Sequence, residues 1–445
     1  CVIADHLRSL SFSIADGIQP SNVERGYVLR KILRRAVRYG RMLGAQKPFM
    51  GQILPRLVEM MHEDYPELKK NQSRIEELLQ IEEESFLKTL RKGGNLLNTV
   101  IKKAQENQKK VIEGKDAFLL KDTYGLPLDE IELMAVDSDL KVDLEGFKQL
   151  EKEAKERSKQ SHKKTDQTVE KNRAEEIYIK AGNTLFCGYD KAKTSSKVVA
   201  LLKGGESVTS LSENEEGQVI LDKTPFYPEM GGQMGDFGLL ENENERFFVK
   251  GTNKLFASMI GHKGVVKKGT LSVGDTITAQ VDMSKREKIC ANHTATHLLH
   301  WALQEVLGEH IKQAGSLVDE NKLRFDFNHH KSVTKEQLKE VEKLVNARIR
   351  ENHPVKSYEL TLEEVQEKSD IKQFFGDKYG SIVRVIDIAD FSKELCGGTH
   401  VQNLGRLGYF KILKETSIAQ GVRRLEAVTA NRSEEFIYDL QDRLN

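Results

Sequence analysis

No stretch of the 445 residues approaches the roughly 20 consecutive apolar positions that a membrane-crossing helix requires, which excludes insertion by that route. Cysteine is scarce: Cys1, Cys187, Cys290 and Cys396 are irregularly spaced, which excludes a disulfide framework and fits a reducing, cytoplasmic compartment. Neither a G-x-x-x-x-G-K-[ST] loop nor a G-x-G-x-x-G fingerprint occurs, so the usual phosphate-cradling elements of a nucleotide-activating step are missing. Internal repeats are absent too. Position 1 lacks methionine: Cys1 stands there with no signal-like segment behind it, and the chain reads as an excised piece of a longer protein. Net charge is small, at +1, and 31% charged with 38% hydrophobic residues describe a soluble globular protein of two to four domains.

What is present begins with two histidines four apart in HTATHLLH, His293 and His297, followed about a hundred residues later by Cys396 and His400 in CGGTH. On a helix, residues i and i+4 share one face, so two imidazoles can be presented to one point. Histidine pairs at this spacing also arise by chance, and it is the second pair, with its thiolate beside two glycines, that points to a single site. Three nitrogens and one thiolate suit zinc better than magnesium or calcium, whose ligands are oxygens. A peptidase is excluded by one residue: the general-base glutamate of H-E-x-x-H is replaced by Thr294.

The small net charge hides an asymmetry. Residues 1–50 carry nine basic side chains against three acidic ones. Within VLRKILRRAVRYGRML, Leu29, Ile32, Leu33, Ala36 and Val37 form an apolar stripe, while Arg30, Arg34, Arg38 and Arg41 fall on another face. A solvated face on a packed helix accounts for this pattern, and so does a phosphate-binding surface; the shortage of nearby acidic partners favours the second.

From Val2 to about Lys171 apolar residues recur at three and four, which predicts helices, interrupted at Pro20 and Ser21 and stopped at Gly44. Residues 151–176 are almost wholly polar and read as an exposed helix or tether. Residues 183–282 hold short strand-like runs, KVVALL, GQVILD, RFFVKG and TITAQV, separated by glycine and asparagine turns, and predict a small β-barrel. The histidine helix, a strand at LRFDF, a helix at KEQLKEVEKLVNARIRENH, a strand at SIVRVID, the cysteine loop and a final strand and helix predict an α+β domain. Domains are therefore expected over 1–176, 177–283 and 284–445.

Three further segments could carry chemistry. Gln313, Gly315 and Ser316 in QAGS form either a loop that orients a small polar ligand or a turn into LRFDF. TPFYPEMGGQMGDFG packs Gly231, Gly232, Gly235 and Gly238 with Gln233, Asp236 and Glu229 into barrel corners or a pocket wall. Arg423 and Arg424 after Gly421 could receive a phosphate or pair with Glu426.

Together with ADHLRSLSFSIADG, PSNVERGYVLRKILRRAVRYG, KDTYGLPLDE and GVRRLEAVT, these motifs resemble the alanyl-tRNA synthetase family, in the family's order from the first residue to the last. The resemblance implies a multidomain chain with an all-α tRNA-recognition domain, a small β-barrel and an α+β zinc-containing editing domain. It places the aminoacylation core before Cys1 and an oligomerising C-terminal domain after Asn445, so ATP-dependent ligation is not expected from this stretch. It implies that Asn22 and Asp122 read a G·U pair in the acceptor stem of tRNA(Ala), with Arg30, Arg34, Arg35 and Arg38 on the phosphates. It assigns Zn2+ to His293, His297, Cys396 and His400. Gln313, Thr294 and Ser316 become candidate catalytic residues, and Gly231, Gly232, Gln233 and Arg423 line the pocket for the mischarged 3′ end. The reaction implied is hydrolysis of seryl- or glycyl-tRNA(Ala), because a pocket made for alanine cannot strongly exclude glycine or serine. Pro228, Met230 and Ala430 depart from the family pattern, Ala430 standing where glycine is common. A zinc-stabilised RNA-binding module without catalysis and a stand-alone trans-editing factor are the competing readings.

Overall fold

The breakers read from the sequence bound the basic helix. Helix α1 (Val2–Ala15) stops before Pro20, α2 (Glu24–Met42) follows, and Gly44 closes it at φ +97°, its N–H donating to the Arg41 carbonyl at 2.9 Å. The computed structural model describes residues 2–21, 24–136, 138–161, 175, 177–179, 182–368, 370–372, 381–389, 391–419 and 421–444. The chain divides into two compact units, Cys1–Thr165 and Asp166–Asn445.

In the first unit α3 (Met50–Met61), α4 (Pro66–Lys70) and the long α5 (Gln72–Glu106) pack with α1 and α2. The apolar stripe of α2 is the part that does this: Leu29, Leu33, Ala36 and Val37 join Leu10, Ile14, Leu79 and Phe86 in one core. Glu83 of α5 accepts the backbone N–H groups of Phe49 (3.2 Å) and Met50 (3.0 Å), so a carboxylate from another helix satisfies the start of α3. A second core around Leu97, Ile112, Leu126 and Phe147 gathers α6 (Gly114–Asp122), α7 (Leu128–Val136) and α8 (Leu144–Ser161). The helical prediction gains one addition, a parallel pair of two-residue strands, β1 (Val111–Ile112) and β2 (Lys141–Val142). The charged stretch begins on α8; its residues from 162 to 176, apart from Glu175, lie outside the described residues.

The second unit begins with the predicted barrel. Strands β3 (Lys193–Lys203), β4 (Glu206–Val208), β5 (Glu216–Leu221), β6 (Gly238–Glu241), β7 (Arg246–Phe256), β8 (Met259–Lys268) and β9 (Thr276–Val281) form an antiparallel sheet in the order β9-β6-β7-β8-β5-β3-β4. Because β9 also pairs with β3, six strands close on themselves and leave no free edge between them. Alternate residues such as Val219, Leu221, Phe247, Val249 and Ile277 fill the interior.

Beyond the barrel, α9 (Met283–Leu307) and α10 (Lys335–Glu351) cover a sheet of β10 (Gln313–Val318), β11 (Leu323–Asn328), β15 (Lys411–Ala419) and β16 (Val422–Val428), ordered β10-β11-β16-β15. A separate sheet is made by β12 (Val355–Thr361), β13 (Ile382–Ile388) and β14 (Ser392–Leu395). The chain ends in α12 (Ala430–Leu444), after the one-turn α11 (Leu362–Gln366) earlier on. Barrel and α+β elements lie in one unit for a visible reason. Arg286, in the first turn of α9 and 5% exposed, forms a bidentate pair with Asp236 of the barrel and also donates to the carbonyls of Gly188 and Pro225. Breaking so buried a pair typically costs about 3–5 kcal/mol.

Candidate metal centre

The histidine helix is buried on all sides from Ile289 to Leu303. Asp282 caps its start by accepting from the N–H groups of Ser284 and Lys285, and Gly308 ends it at φ +112°. A helix so enclosed keeps polar side chains only where each finds a partner. That requirement explains the site.

His293 and His297 project one turn apart, and Cys396 and His400 arrive on the loop after β14. The Sγ of Cys396 stands 3.4 Å from Nε2 of His293 and 3.4 Å from Nε2 of His400, and all four donor atoms lie within 4.8 Å of one another. Metal–nitrogen bonds of about 2.0–2.1 Å and a metal–sulfur bond of about 2.3 Å at tetrahedral angles would set N···S at about 3.5 Å. The four residues fit a metal ion, and the donor set is consistent with zinc. The second glycine of CGGTH is required here: a Cβ on Gly398 would sit 2.1 Å from Cε1 of His293.

Each ring offers Nε2 because its Nδ1 is occupied. Nδ1 of His293 donates to Oε1 of Gln233 at 2.7 Å, and that same oxygen accepts the N–H of Thr399 at 2.9 Å. Nδ1 of His297 donates to the Glu394 carboxylate, and Nδ1 of His400 to the Thr294 hydroxyl at 3.1 Å. These tautomers follow from the hydrogen-bond network. Burial would raise the Cys396 thiol, but His293 and His400 beside it hold it well below its ordinary value, the state a metal ligand needs. Burial and the neighbouring His293 push His400 down to about 3, leaving a lone pair on the neutral ring. Burial also disfavours a charge on His297, yet the Glu394 carboxylate outweighs it and raises the basicity of the ring.

The remaining expectations divide. Thr294 is 0% exposed; its hydroxyl donates to the Cys290 carbonyl at 2.8 Å and accepts from His400 and from the Val401 N–H. With donor and both lone pairs engaged, the hydroxyl orients the His400 ring. Gln313 and Ser316 lie on strand β10, in place of a loop or turn, and Gln313 donates to the Ser316 hydroxyl at 3.2 Å. Gly231 and Gly232, at φ +63° and +86°, form the centre of a two-residue turn from Met230 to Gln233. A Cβ on Gly232 would fall 2.5 Å from the Ser316 carbonyl, so the turn lies against β10 while delivering the fully buried Gln233 to His293. Arg423 donates from Nε to the Glu415 carboxylate at 2.5 Å, both side chains 11% exposed. Arg424 holds Asp326 through two bonds, and Glu426 takes Lys322 at 2.9 Å. A cleft of about 440 Å3 opens beside His400, lined by Tyr189, Lys191, Arg384 and Arg406. There Tyr189 and Arg384 brace the cysteine loop by donating to the carbonyls of Gly397 and Gly398 at 2.6 and 2.7 Å.

Sequence reasoning missed Glu394 and His300. His300 stands in the HTATHLLH string itself, and Glu394 lies two residues before Cys396 on a strand too short to show a pattern. Each needs the fold to bring it to the other.

In the first unit the basic helix does not present one continuous face. Arg30 is 2% exposed, grips Glu82 of α5 through bonds of 2.9 and 2.6 Å, and lines the same cleft as Arg34, Arg35 and Arg38. Arg34 is half-buried over the Phe86 ring at 5.1 Å, Arg38 is half-buried, and Arg35 is exposed. With Lys31 and His6 they line a cleft of about 610 Å3, whose acidic wall includes Asp129 of the KDTYGLPLDE segment. Asp122 is exposed at the last turn of α6, and Asn22 lies outside the described residues.

A family model described as tRNA synthetases class II (A) matches residues 1–285, and the threonyl and alanyl tRNA synthetase second additional domain matches residues 383–426, which include Cys396 and His400. The alanine–tRNA ligase of Chlamydia caviae is 50% identical over 448 residues, covering 100% of this chain and 50% of that protein. The alanine–tRNA ligase of Chlamydia trachomatis serovar L2 is 50% identical over 97% of the chain, and that of Chlamydia pneumoniae 49% identical over 98%. The chain spans about half the length of these relatives. It belongs to the class II tRNA synthetase family, among the alanyl enzymes.

Proposed function

We propose that residues 166–445 hydrolyse the ester of mischarged tRNA(Ala), carrying serine or glycine, and that residues 1–165 hold the acceptor stem, both within a cytoplasmic alanine–tRNA ligase. The observation that carries the reading is the convergence of three imidazoles and one thiolate, each ring fixed by its own acceptor, next to the turn that abuts the strand bearing Gln313 and Ser316. A bound zinc would supply a positive centre that anchors or polarises a polar group of the substrate. Around it Gln233, Thr294 and Glu394 hold the ligand rings, and the Gln313 amide and Ser316 hydroxyl orient the aminoacyl ester. In the first unit Arg34, Arg35 and Arg38 contact phosphates, while Asn22 and Asp122 read the G·U pair, Asp122 as an exposed acceptor for a guanine amino group.

A second reading has a specific observation in its favour. Four protein donors fill a tetrahedron, the mark of structural zinc, so the domain would be an RNA-binding module stabilised by the metal. Incubation of the chain with Ser-tRNA(Ala) separates the two. Ester loss well above buffer supports the hydrolase; no loss above buffer with tRNA binding intact overturns it and leaves the second reading.

A further inference from the structure

We propose that Glu394 and His300 are positioning residues that tie the metal-ligating His297 to the root of the strand carrying Gln313. Both are buried, at 3% and 2% exposure. One carboxylate oxygen of Glu394 accepts from Nδ1 of His297, and the other accepts from Nδ1 of His300 at 3.0 Å. The opposite nitrogen of His300 reaches the Ile311 carbonyl at 3.3 Å, where Gln304 also donates at 2.8 Å. Ile311 is 0% exposed and lies two residues before Gln313, the first residue of β10. The His300 ring also packs beside Phe325 of β11, the strand paired with β10.

A buried carboxylate is retained only where its oxygens are satisfied, and orienting His297 would use one of them. The second is given to a histidine outside the donor cluster, whose other nitrogen holds backbone on the way to the candidate catalytic strand. Three consecutive polar contacts therefore run from a metal ligand to Ile311, two residues before β10. The setting of the His297 ring and the position of Gln313 become one property of the fold. This link rests on the metal reading of the donor cluster and not on the hydrolysis, so its test reads zinc affinity and strand protection.

The experiment uses the full chain. In Glu394→Gln the amide keeps one acceptor and turns an N–H2 group toward the other histidine, so one arm of the link is lost. Zinc affinity, measured by competition with a chromophoric chelator, should fall by about 10–100-fold, as for other losses of a ligand's hydrogen-bond acceptor. His300→Phe keeps a ring beside Phe325 and cuts both the bond to Glu394 and the contact with Ile311. With zinc bound it should speed amide exchange across residues 311–316 by about fivefold or more, and zinc affinity should fall less than in Glu394→Gln. Exchange in β5 and in α2 serves as the control for folding. If Glu394→Gln raises exchange there as well, Glu394→Asp, shorter by one methylene but still charged, replaces it and should show a smaller loss of zinc affinity. Parental zinc affinity in the folded Glu394 variants, or unchanged exchange at 311–316 in His300→Phe, overturns the link while leaving the metal reading intact. Failure of the parent chain to bind zinc overturns both.

Discussion

Along α9 two histidines spaced by four turn to one point, whereas along α2 arginines with the same spacing part company. His293 and His297 meet because each Nδ1 is taken by a buried acceptor, Gln233 and Glu394, that leaves Nε2 facing the cysteine loop. Arg30 is drawn into the core by Glu82, Arg34 leans on Phe86, and Arg35 faces solvent. Helical spacing fixes which residues share a face; what that face touches decides whether they act together. The metal candidates are positioned before any ligand arrives, while the arginine surface is what remains after the fold has taken the side chain it needs.

The sharpest way to break this comparison is Cys396→Ala. Zinc affinity should fall by more than the about 100-fold limit for losing an outer partner, ester hydrolysis should vanish with it, and tRNA binding should stay nearly unchanged. A variant that kept hydrolysis without zinc would remove the metal from the account. Arg30→Ala should destabilise the first unit by about 3–5 kcal/mol in denaturant unfolding followed by exchange in α2 and α5, because Glu82 stays buried without its partner. A change under about 0.5 kcal/mol, typical of surface sites, would put Arg30 back on the binding face.

The two units should also answer pH in opposite senses. Burial pushes the Glu83 carboxyl up to about 7, against the pull of the Phe49 and Met50 N–H groups, from an ordinary 4.5. Its contribution to stability is fully present below 4.5 and is lost as pH rises through about 7. Burial would raise Glu394 as well, but His297 and His300 outweigh it and hold it far below 4.5, so its contribution is present above that value and lost as pH falls beneath it. Exchange in α3 and α5, corrected for the intrinsic rate, should therefore increase from pH 5 to 7.5, and Glu83→Gln should flatten the trend. Persistence of the full trend in that variant would remove Glu83 as its cause. Smaller effects follow at the surface. Arg35→Ala should leave stability within about 0.5 kcal/mol and lower the salt dependence of RNA binding by about one phosphate contact; an unaltered salt slope would exclude Arg35 from the interface. Ala430 sits at φ +48°, a backbone conformation that favours glycine, and Ala430→Gly should stabilise the chain by about 1 kcal/mol in thermal unfolding.

Much of this was legible in the sequence where a pattern is local. The apolar stripe of α2, the glycine stop at Gly44, the barrel strands and the two His/Cys pairs are all set by periodicity or by turn chemistry. What was not legible depends on partners distant in the chain. Glu82 lies 52 residues from Arg30, Glu394 97 from His297, and Gln233 60 from His293, and nothing at either end of these pairs announces the other. QAGS read as a loop or a turn because its glycine and serine are turn formers, yet pairing with β11 makes it a strand. Arg423 and Arg424 looked available for phosphate because their acceptors, Glu415 and Asp326, sit on adjacent strands.

X-ray absorption at the zinc edge of the loaded chain tests the central claim most directly. Three nitrogen ligands at about 2.0–2.1 Å and one sulfur at about 2.3 Å are expected, with the sulfur contribution absent in Cys396→Ala. An oxygen-dominated shell without sulfur, or a spectrum that Cys396→Ala leaves unchanged, would contradict the assignment of His293, His297, Cys396 and His400 to one metal ion.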